Sequence, residues 1–320
     1  MMRHARREIS VALAVVALAL VLLVQAPAFF ARENLVDVFL ANMPVLVIAL
    51  GMTLVILTGQ IDISVGSMFA ICSVASGVLA KAGWPLPLVA LGTCAAGAAL
   101  GALNGGLVAW ARIPSIVATL ATMVALRDGL RWTTQGAWIQ DLPSSFQWLG
   151  ASQTTYPFVV GGTALALQMA FAWTLRDLPA GRAVYATGSN PDAARLAGLR
   201  TALVTFMVFV LLGGLTGLAA LLNAVRFNQI PSNAGLGLEM KVIAAVVVGG
   251  AAITGGRGSV MGTLLGVVLL GMIGPALTFL GVTAYWERAI QGAIILTAVT
   301  FDALRARPVS HTAVTAGARA

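Results

Sequence analysis

Few residues of this 320-residue chain could carry out acid–base or nucleophilic chemistry. The two histidines, His4 and His311, lie near the two ends, so the interior has neither a histidine general base nor a histidine metal ligand. The sequence contains no G-x-S-x-G or H-E-x-x-H pattern. The nearest match to a phosphate-binding G-x-x-x-x-G-K-[ST] loop, GGRGSVMGT at 255–263, lacks the lysine. We therefore expect no catalytic residue, metal or cofactor on this chain, and any ATP must be hydrolysed on another one.

The composition places the chain in lipid. It is 59% hydrophobic and 9% charged, whereas a soluble domain has about 25% charged residues. Apolar runs of about 15–25 residues follow one another, and about 20 residues are needed for a helix to cross the hydrocarbon layer. Because lipid offers no hydrogen-bond partner and no barrel-like alternation is present, the spans must be helices. The predicted fold class is all-α, a polytopic membrane protein with about ten transmembrane helices, some of them discontinuous.

We predict one transmembrane domain over 1–303 and a cytoplasmic tail at 304–320. An excess of arginine on one side favours two cytoplasmic termini, and it explains the net charge of +8 without a nucleic-acid partner. The first span is expected to be an uncleaved anchor, and the eighth is short enough either to cross obliquely or to re-enter. The predicted spans are 9–30, 38–58, 64–81, 86–110, 114–131, 156–175, 202–222, 239–254, 259–281 and 285–303.

Two segments combine an apolar run, a glycine-rich break and a Gly-Ser that opens a new helix. They are LVILTGQIDISVGSM at 54–68 and the eighth span with the TGGRGS that follows it. Such paired breaks mark transport pathways built from discontinuous helices, although two tight turns would give the same pattern. Polar residues near these segments could line a pathway or serve as helix-packing hydroxyls and amides. These candidates are Asn42, Thr53, Thr58, Gln60, Asp62, Ser64, Ser67, Asn104, Thr119 and Thr122.

Asp62 is the carboxylate whose position most needs an explanation. A carboxylate at the centre of a membrane costs about 2.5–3.5 kcal/mol on insertion scales, so Asp62 must face protein or water or lie near the interface. Asp62 or Ser64 could cap the third span, or could line the exit route of a solute. Glu239 and Lys241 are interpreted similarly, as mutual or interfacial partners rather than ligands.

Small residues recur inside the predicted spans, as in GAALGALNGG at 97–106 and GTLLGVVLLG at 262–271. This spacing allows helix backbones to approach closely in lipid, so we assign these glycines to packing. Cys72 and Cys94 also lie in apolar runs without metal-ligand spacing, and they too are predicted to pack.

A charged segment at 181–200, which ends in YATGSNPDAARLAGLR, interrupts the apolar chain within a cytoplasmic segment at about 176–201. Ser189 or Asn190 can cap a helix, Pro191 suits its first turn and Gly198 can end it, which predicts a short helix over 191–197. Its alanines could fit a partner's groove while its arginines pair with acidic residues there. The alternative is a solvated positive-inside loop. The residues in question are Arg182, Ala193, Ala194, Arg195, Ala197 and Arg200.

Aromatic residues populate the outer segment between the fifth and sixth spans. They predict an aromatic belt at the headgroup layer, with a docking surface for a solute-binding protein as the alternative, rimmed by Gln135, Gln140 and Asp141. The aromatic residues are Trp132, Trp138, Phe146, Trp148 and Tyr156.

Five motifs in order, covering about 50–303, resemble those of the sugar-importing ABC permeases related to ribose permease. The coupling motif GxxxYAxGxNxxAARLxG is present as Gly181, Tyr185, Ala186, Gly188, Asn190, Ala193, Ala194, Arg195, Leu196 and Gly198. G-x-I-D-x-S-V-G-S is present as Gly59, Ile61, Asp62, Ser64, Val65, Gly66 and Ser67. Asn104 and Gly105 precede a P-x-x-x-A-T-L run, Pro114, Ala118, Thr119 and Leu120. The last motif comprises Glu239, Ile243, Ala244, Ala245, Val247, Gly249, Gly250, Gly255, Gly256, Gly258 and Ser259.

The resemblance implies a non-catalytic permease subunit in a bacterial inner membrane. Cytoplasmic ATP-binding subunits would engage the 176–201 segment, and a periplasmic or lipid-anchored solute-binding protein would deliver a small sugar. The permease would pair with a second copy or a related chain. Gln60 and Lys241 depart from the family pattern, which usually has glycine and often an acidic residue there.

The stretch at 111–143 is more similar to the rhamnose and autoinducer-2 branches than to the ribose branch, and rhamnose is favoured. Autoinducer-2, ribose or another pentose remain alternatives. So do an ion-coupled secondary carrier, which would need Asp62 as its carboxylate, and an ATP-independent channel.

Overall fold

The computed structural model describes residues 2–283 and 285–305, and within them the chain is almost entirely helical. The described residues form no β-strand; Ile139 and Ile230 make one isolated antiparallel bridge. Most of the predicted tail at 304–320 lies outside the described residues. The helices are α1 (Met2–Gln25), α2 (Arg32–Leu57), α3 (Val65–Lys81), α4 (Leu86–Ala109), α5 (Ser115–Thr134), α6 (Tyr156–Asp177), α7 (Pro179–Ser189), α8 (Pro191–Leu196), α9 (Thr201–Ala224), α10 (Leu238–Val248), α11 (Val260–Phe279) and α12 (Tyr285–Arg305).

The all-α prediction is confirmed, and a helix lies at each predicted span. Among the described residues, six helices are long and apolar enough to cross a membrane, namely α1, α2, α4, α6, α9 and α11. Helix α3 is shorter, with 17 residues, and α5 carries charges near its carboxyl end. Helix lengths therefore establish a polytopic bundle without fixing the number of crossings at ten.

Helix α10 is much shorter than the span of 239–254 that the sequence suggested. Its 11 residues extend about 16 Å at 1.5 Å per residue, roughly half of the hydrocarbon thickness of about 30 Å. It ends at Gly249, and the chain continues in non-helical backbone as far as Ser259. Helix α10 by itself is thus too short to cross the hydrocarbon layer, and an oblique crossing or a re-entrant course for 239–254 stays a prediction.

Helix α2 forms the centre of the bundle. Every residue from Pro44 to Leu57 is buried. A helix that is apolar on all sides and buried on all sides must be surrounded by other helices. It runs antiparallel to α11: the hydroxyls of Thr53 and Thr263 lie 2.7 Å apart, and Asn42 Nδ2 donates to the Gly271 carbonyl at 3.3 Å. Of the pathway candidates, Asn42 and Thr53 therefore serve helix packing.

Glycines hold α4 and α9 in backbone contact, as the small-residue pattern predicted. A methyl group on Gly97 would overlap the Gly213 carbonyl, and one on Gly101 would overlap the Phe209 carbonyl. Close packing of this kind is the main source of helix association in lipid, where burial of apolar surface supplies little. The same arrangement joins α10 to α11 at Gly249 and Gly262.

The aromatic residues of the outer segment divide into two groups. Trp132 is 75% exposed and Trp138 is 47% exposed, as a belt or a docking surface requires. Phe146 and Tyr156 are buried in the core, and the Tyr156 hydroxyl donates to the Leu222 carbonyl, so the prediction is wrong for these two. The Trp148 ring meets the Tyr156 ring edge to face.

The two cysteines follow their prediction. Cys72 is buried and Cys94 is partly buried, both as free thiols, as expected for residues that pack in apolar helices.

Candidate coupling and transport site

The two predicted helix breaks lie against each other. The first follows α2 at Thr58 and the second follows α10. Gly256 N donates to the Leu57 carbonyl at 2.8 Å, which joins them directly. Gly59 and Gly255 have φ of +75° and +85°, a conformation that glycine adopts without strain. A methyl group on Gly255 would lie 2.8 Å from Gly59 N, so the backbones touch.

The charged segment predicted for coupling folds as two helices, α7 and α8, where the sequence predicted one. Helix α8 confirms the predicted short helix, and Asn190 is its cap: Asn190 Oδ1 accepts from Ala193 N at 3.0 Å. Gly198 follows the helix with φ of +85°, as expected for a residue that ends it. Helix α7 was missed, and it begins at Pro179, the residue type favoured in a first turn.

The carboxyl end of α7 packs directly against the backbone of both helix breaks. A methyl group on Gly188 would overlap the Leu57 carbonyl and would lie 2.7 Å from Gly256 N. One turn earlier, the Tyr185 hydroxyl donates to the Gly258 carbonyl at 2.9 Å. Burial raises the pKa of Tyr185, so the hydroxyl keeps its proton and remains a donor at neutral pH. A movement of α7 must therefore move the junction between the two breaks.

Further contacts fix the loop that follows α10. Ser259 caps α11 by accepting from Gly262 N at 2.9 Å, and its hydroxyl donates to the Glu8 carboxylate of α1. Gln168 Nε2 of α6 donates to the Val260 carbonyl at 3.0 Å. The loop is thus bonded to α1, α2 and α7, and α6 is bonded to the first residue of α11 directly after it, so these elements meet here.

Only part of the predicted coupling set faces outward. Gly181 packs on α6, where a methyl group would lie 2.5 Å from Leu175 Cα, and Ala194 is 5% exposed. Ala194 points into the protein, so the prediction that it belongs to an outward small-residue face of α8 is wrong. Leu196 is instead 91% exposed, an unusual place for a leucine outside lipid. The other exposed residues named for this segment are Arg182, Asn190, Ala193, Arg195, Ala197, Gly198 and Arg200.

Asp62 lies in a closed hydrogen-bonded cluster between the first break and α3. Its Oδ1 accepts from Ser64 N at 2.8 Å and from Ser64 Oγ at 2.7 Å. Its Oδ2 accepts from Asn104 Nδ2 of α4 at 3.1 Å, and the same amide lies 2.8 Å from Ser64 Oγ. All three residues are at most 1% exposed, so the carboxylate faces protein. Ser64 is the cap residue of α3, but its hydroxyl bonds Asp62 rather than the helix.

Helix α5 holds the extended backbone on both sides of Asp62. Ser115 Oγ accepts from Ile61 N at 3.2 Å, and Thr119 Oγ1 accepts from Ile63 N at 3.1 Å. These are the donors that a break leaves without helical partners, so α5 replaces the missing bonds.

Ser67 extends this connection along α3. Its hydroxyl donates to the Met123 carbonyl of α5 at 2.8 Å. Together with the bonds around Asp62, this contact fixes the amino end of α3 to α4 and α5.

The remaining pathway candidates have local partners. Thr122 Oγ1 donates to the Thr119 carbonyl of its own helix at 3.1 Å, and Thr58 Oγ1 to the Val55 carbonyl at 2.7 Å. Gln60 is partly buried beside the junction, where its backbone N donates to the Val55 carbonyl. The structure therefore brings together Asp62, Ser64, Asn104 and Thr119, and leaves Gln60 and Thr122 outside that cluster.

We expect Asn104→Ala to destabilise the permease by about 1–3 kcal/mol, because it removes a donor from a buried carboxylate. Thermal unfolding of the detergent-solubilised protein would show a lowered midpoint. Asn233→Ala, at an exposed asparagine between α9 and α10, should leave the midpoint unchanged. Equal midpoints for the two variants would show that the Asn104 amide does not support Asp62.

Lys241 has a different partner from the one the sequence suggested. Its ammonium lies 3.9 Å from Glu287 Oε1 of α12, and Gln291 Nε2 donates to the same oxygen at 3.1 Å. Glu239 is buried against Gly66 in the first turn of α3. The predicted pairing of Lys241 with Glu239 is therefore wrong, and the α12 residues were missed altogether.

Comparison with known proteins agrees with this architecture. Residues 34–299 match the family model described as the branched-chain amino acid transport system permease component. The autoinducer 2 import system permease protein LsrC of Salmonella typhi is 39% identical over 296 residues, which is 92% of this chain and 85% of that protein.

Two further relatives bear the same name. The Salmonella typhimurium protein is 40% identical over 274 residues, 86% of this chain and 79% of the relative. The Escherichia coli K12 protein is 38% identical over 290 residues, 89% of this chain and 85% of the relative. No solved structure matches the chain. The chain belongs to this family of permease components, as a polytopic membrane subunit of the ribose-permease-like ABC importers whose motifs it carries.

Proposed function

We propose that this chain is the transmembrane subunit of an ATP-driven, binding-protein-dependent importer that carries autoinducer 2 or a closely similar sugar-like molecule. The observation that supports coupling is the packing of α7 against both helix breaks at Gly188. A force applied to α7 and α8 from the cytoplasm would reach two discontinuous elements at once. Such elements are where transporters commonly change their access.

The comparisons change the cargo that we propose to test first. The sequence motifs favoured rhamnose, with autoinducer-2 as an alternative. The relatives that cover most of this chain are named for autoinducer 2 import, and rhamnose is named in none of the three compared above. Autoinducer 2 is therefore the first cargo to test, followed by rhamnose and ribose.

The finer architecture is part of the same proposal. Ten membrane segments, with α10 as a half-crossing, would leave both termini and α7–α8 in the cytoplasm. Two permease chains, either identical or related, would enclose the route, and ATP-binding subunits would dock on α8. A solute-binding protein would deliver cargo to the opposite face, where Trp132 and Trp138 are exposed.

In this proposal, Asp62 and its neighbours hold helices together and do not contact the solute. Their burial favours a fixed clamp that holds α3 against α4 and α5. Gln60, beside the junction, and the partly buried Thr122 are better placed to meet a moving solute. We expect the clamp residues, Asp62, Ser64, Ser67, Asn104 and Thr119, to affect transport through stability.

Uptake into proteoliposomes containing the complete importer tests the energy source. Accumulation of autoinducer 2 should require ATP on the side that carries the ATP-binding subunits, and it should continue when a protonophore removes the ion gradient. Uptake that stops with the protonophore and ignores ATP would instead support the ion-coupled carrier. Downhill flux through the permease alone would support a channel.

The exposed leucine of α8 provides a test of the docking surface. We expect Leu196→Asp to reduce co-purification of the ATP-binding subunit several-fold, because a carboxylate would replace an apolar contact in the partner's groove. The permease itself should insert normally, since the side chain is 91% exposed. Val282→Asp, at an exposed apolar position beyond the opposite end of α11, is the control. Unchanged co-purification of Leu196→Asp would remove α8 from the interface.

A further inference from the structure

A cavity of about 580 Å³ lies beside the amino-terminal end of α10, and the function proposed above does not use it. Its walls combine apolar side chains of α2 and α3 with polar groups contributed mainly by α10 and α12. The polar lining consists of Asn223, Lys241, Tyr285, Glu287, Arg288 and Gln291. This volume lies within the range of about 300–1,000 Å³ that is typical of small-molecule sites.

Contacts with α3 show the course of the chain that leads into α10. A methyl group on Gly77 would lie 2.7 Å from Ile230, whereas one on Gly66 would lie 2.6 Å from the Gly235 carbonyl. These glycines are eleven residues apart, about 16 Å along the helix axis. The chain from Ile230 to Gly235 therefore runs along α3, inside the bundle, from near Gly77 to Gly66 before α10 begins.

Backbone outside a helix is tolerated inside a membrane-spanning bundle only where protein or water satisfies it. The segment that leads into α10 lines the cavity through Gly235, Leu236 and Gly237. The ionic groups of Lys241 and Glu287 lie at the same end of α10, and such groups within a membrane protein face water or each other. The polar lining thus makes the cavity a suitable place for water or for a polar ligand inside the helix bundle.

The polar groups leave hydrogen-bonding capacity for a ligand. Lys241 Nζ is 3.9 Å from Glu287 Oε1, which is an ion pair but too long for a hydrogen bond. The ammonium donors can therefore meet a hydroxyl oxygen, and the carboxylate can accept from a hydroxyl hydrogen. Gln291 already donates to the carboxylate and fixes it. Phe69 adds an apolar surface for the C–H face of a ring.

We infer that this cavity is a binding site for a small, uncharged, polyhydroxylated cargo on the face opposite α7 and α8. Lys241 donates to ligand hydroxyl oxygens, Glu287 accepts from ligand hydroxyls, and Gln291 positions the carboxylate. The Lys241–Glu287 pair presents a cation and a carboxylate side by side, which suits an uncharged ligand whose hydroxyls both accept and donate. Arg288 adds a second cation to the lining and a further donor for hydroxyl oxygens. This inference rests on the proposed function for the direction of transport and for the identity of the cargo.

Cysteine labelling in the complete importer tests the site. Leu236 lines the cavity and is 58% exposed, so Leu236→Cys should react with a membrane-impermeant maleimide from outside the cell. Autoinducer 2, L-rhamnose and D-ribose are the probes, and we expect at least one to slow the labelling several-fold. The unmodified chain, with Cys72 and Cys94, gives the background. Trp84→Cys, exposed in the α3–α4 turn outside the cavity, should label at a rate that no probe changes.

Removing the ionic contact should weaken the protection. In the Leu236→Cys background, Lys241→Met should raise the probe concentration for half-maximal protection by about tenfold, and Glu287→Gln should act in the same direction. Lys241→Arg, which keeps the charge, should retain most of the protection. If Lys241→Met does not fold, Glu287→Gln decides the question alone.

Two outcomes separate this inference from the proposed function. ATP-dependent uptake of a probe that never slows labelling of Leu236→Cys would overturn the cavity site and leave the importer intact. Protection by a probe whose uptake does not need ATP would support the cavity and overturn the ATP-driven importer. Unchanged protection in both Lys241→Met and Glu287→Gln would also overturn the assigned contacts.

Discussion

Gly188→Val should reduce ATP-driven uptake by at least about a hundredfold. A valine side chain would occupy the position of the Leu57 carbonyl and would press on Gly256 N, and neither backbone group can rotate away. Overpacking costs about 1–3 kcal/mol where side chains can adjust, and more where they cannot. The chain can relieve the overlap only by moving α7 away from the breaks, which disconnects the coupling segment from the transport segments.

The effect should be specific to coupling rather than to folding. Membrane insertion and detergent extraction of Gly188→Val should match the unmodified protein, because α7 lies outside the six long apolar helices. Gly162→Val is the matched control, since a side chain at this glycine of α6 would meet nothing within 4 Å. Tyr185→Phe, which removes only the bond to the Gly258 carbonyl, should give a smaller loss of uptake in the same direction. Full uptake by Gly188→Val would show that the contact between α7 and the breaks does not transmit the conformational change.

Local sequence signals predicted the coupling segment only in part. The cap at Asn190 and the end at Gly198 depend on residues within a few positions, and the structure confirms both. Helix α7 contains two glycines, which weaken the intrinsic helix preference. It forms because Val184 and Tyr185 bury themselves against other elements, and tertiary packing of this kind is invisible in a single segment.

The Asp62 cluster shows a second limit of the sequence. Asp62 and Ser64 form a local turn that the G-x-I-D-x-S motif suggested. Asn104 and Thr119 were selected as polar residues in apolar helices, but their role depends on how α4 and α5 pack. The motifs therefore identified the participants, while the three-dimensional arrangement shows that they bond one another.

The pairing of Lys241 failed for a simple geometric reason. Residues two apart on a helix point to different sides, so Glu239 and Lys241 cannot face each other within α10. Glu239 instead points toward Gly66, and Lys241 toward Glu287. The correct partner is 46 positions away in the sequence, and no local pattern indicates it. The cavity beside α10 was missed because its lining comes from helices that are distant along the chain.

Gly213→Leu should prevent α4 and α9 from packing. A side chain at Gly213 would overlap the Gly97 carbonyl and would lie 2.9 Å from Gly101 N, so it would meet backbone on both sides. In lipid, where helix association relies on close packing, the two helices would have to separate along most of the contact. We expect a loss of several kcal/mol, more than the about 1–3 kcal/mol of ordinary overpacking.

The neighbouring residue provides a matched control for the same substitution. A side chain at Gly214 would lie 3.8 Å from Ala98 Cβ, an ordinary contact, so Gly214→Leu should be tolerated. Size-exclusion chromatography of detergent extracts should give one sharp peak for Gly214→Leu and aggregated protein for Gly213→Leu. Equal behaviour of the two variants would contradict the backbone contact. Helix α4 also carries Asn104, so separating it from α9 would loosen the Asp62 cluster. Close packing of the buried glycines of α4 and α9 would thereby support the contacts that hold the amino end of α3.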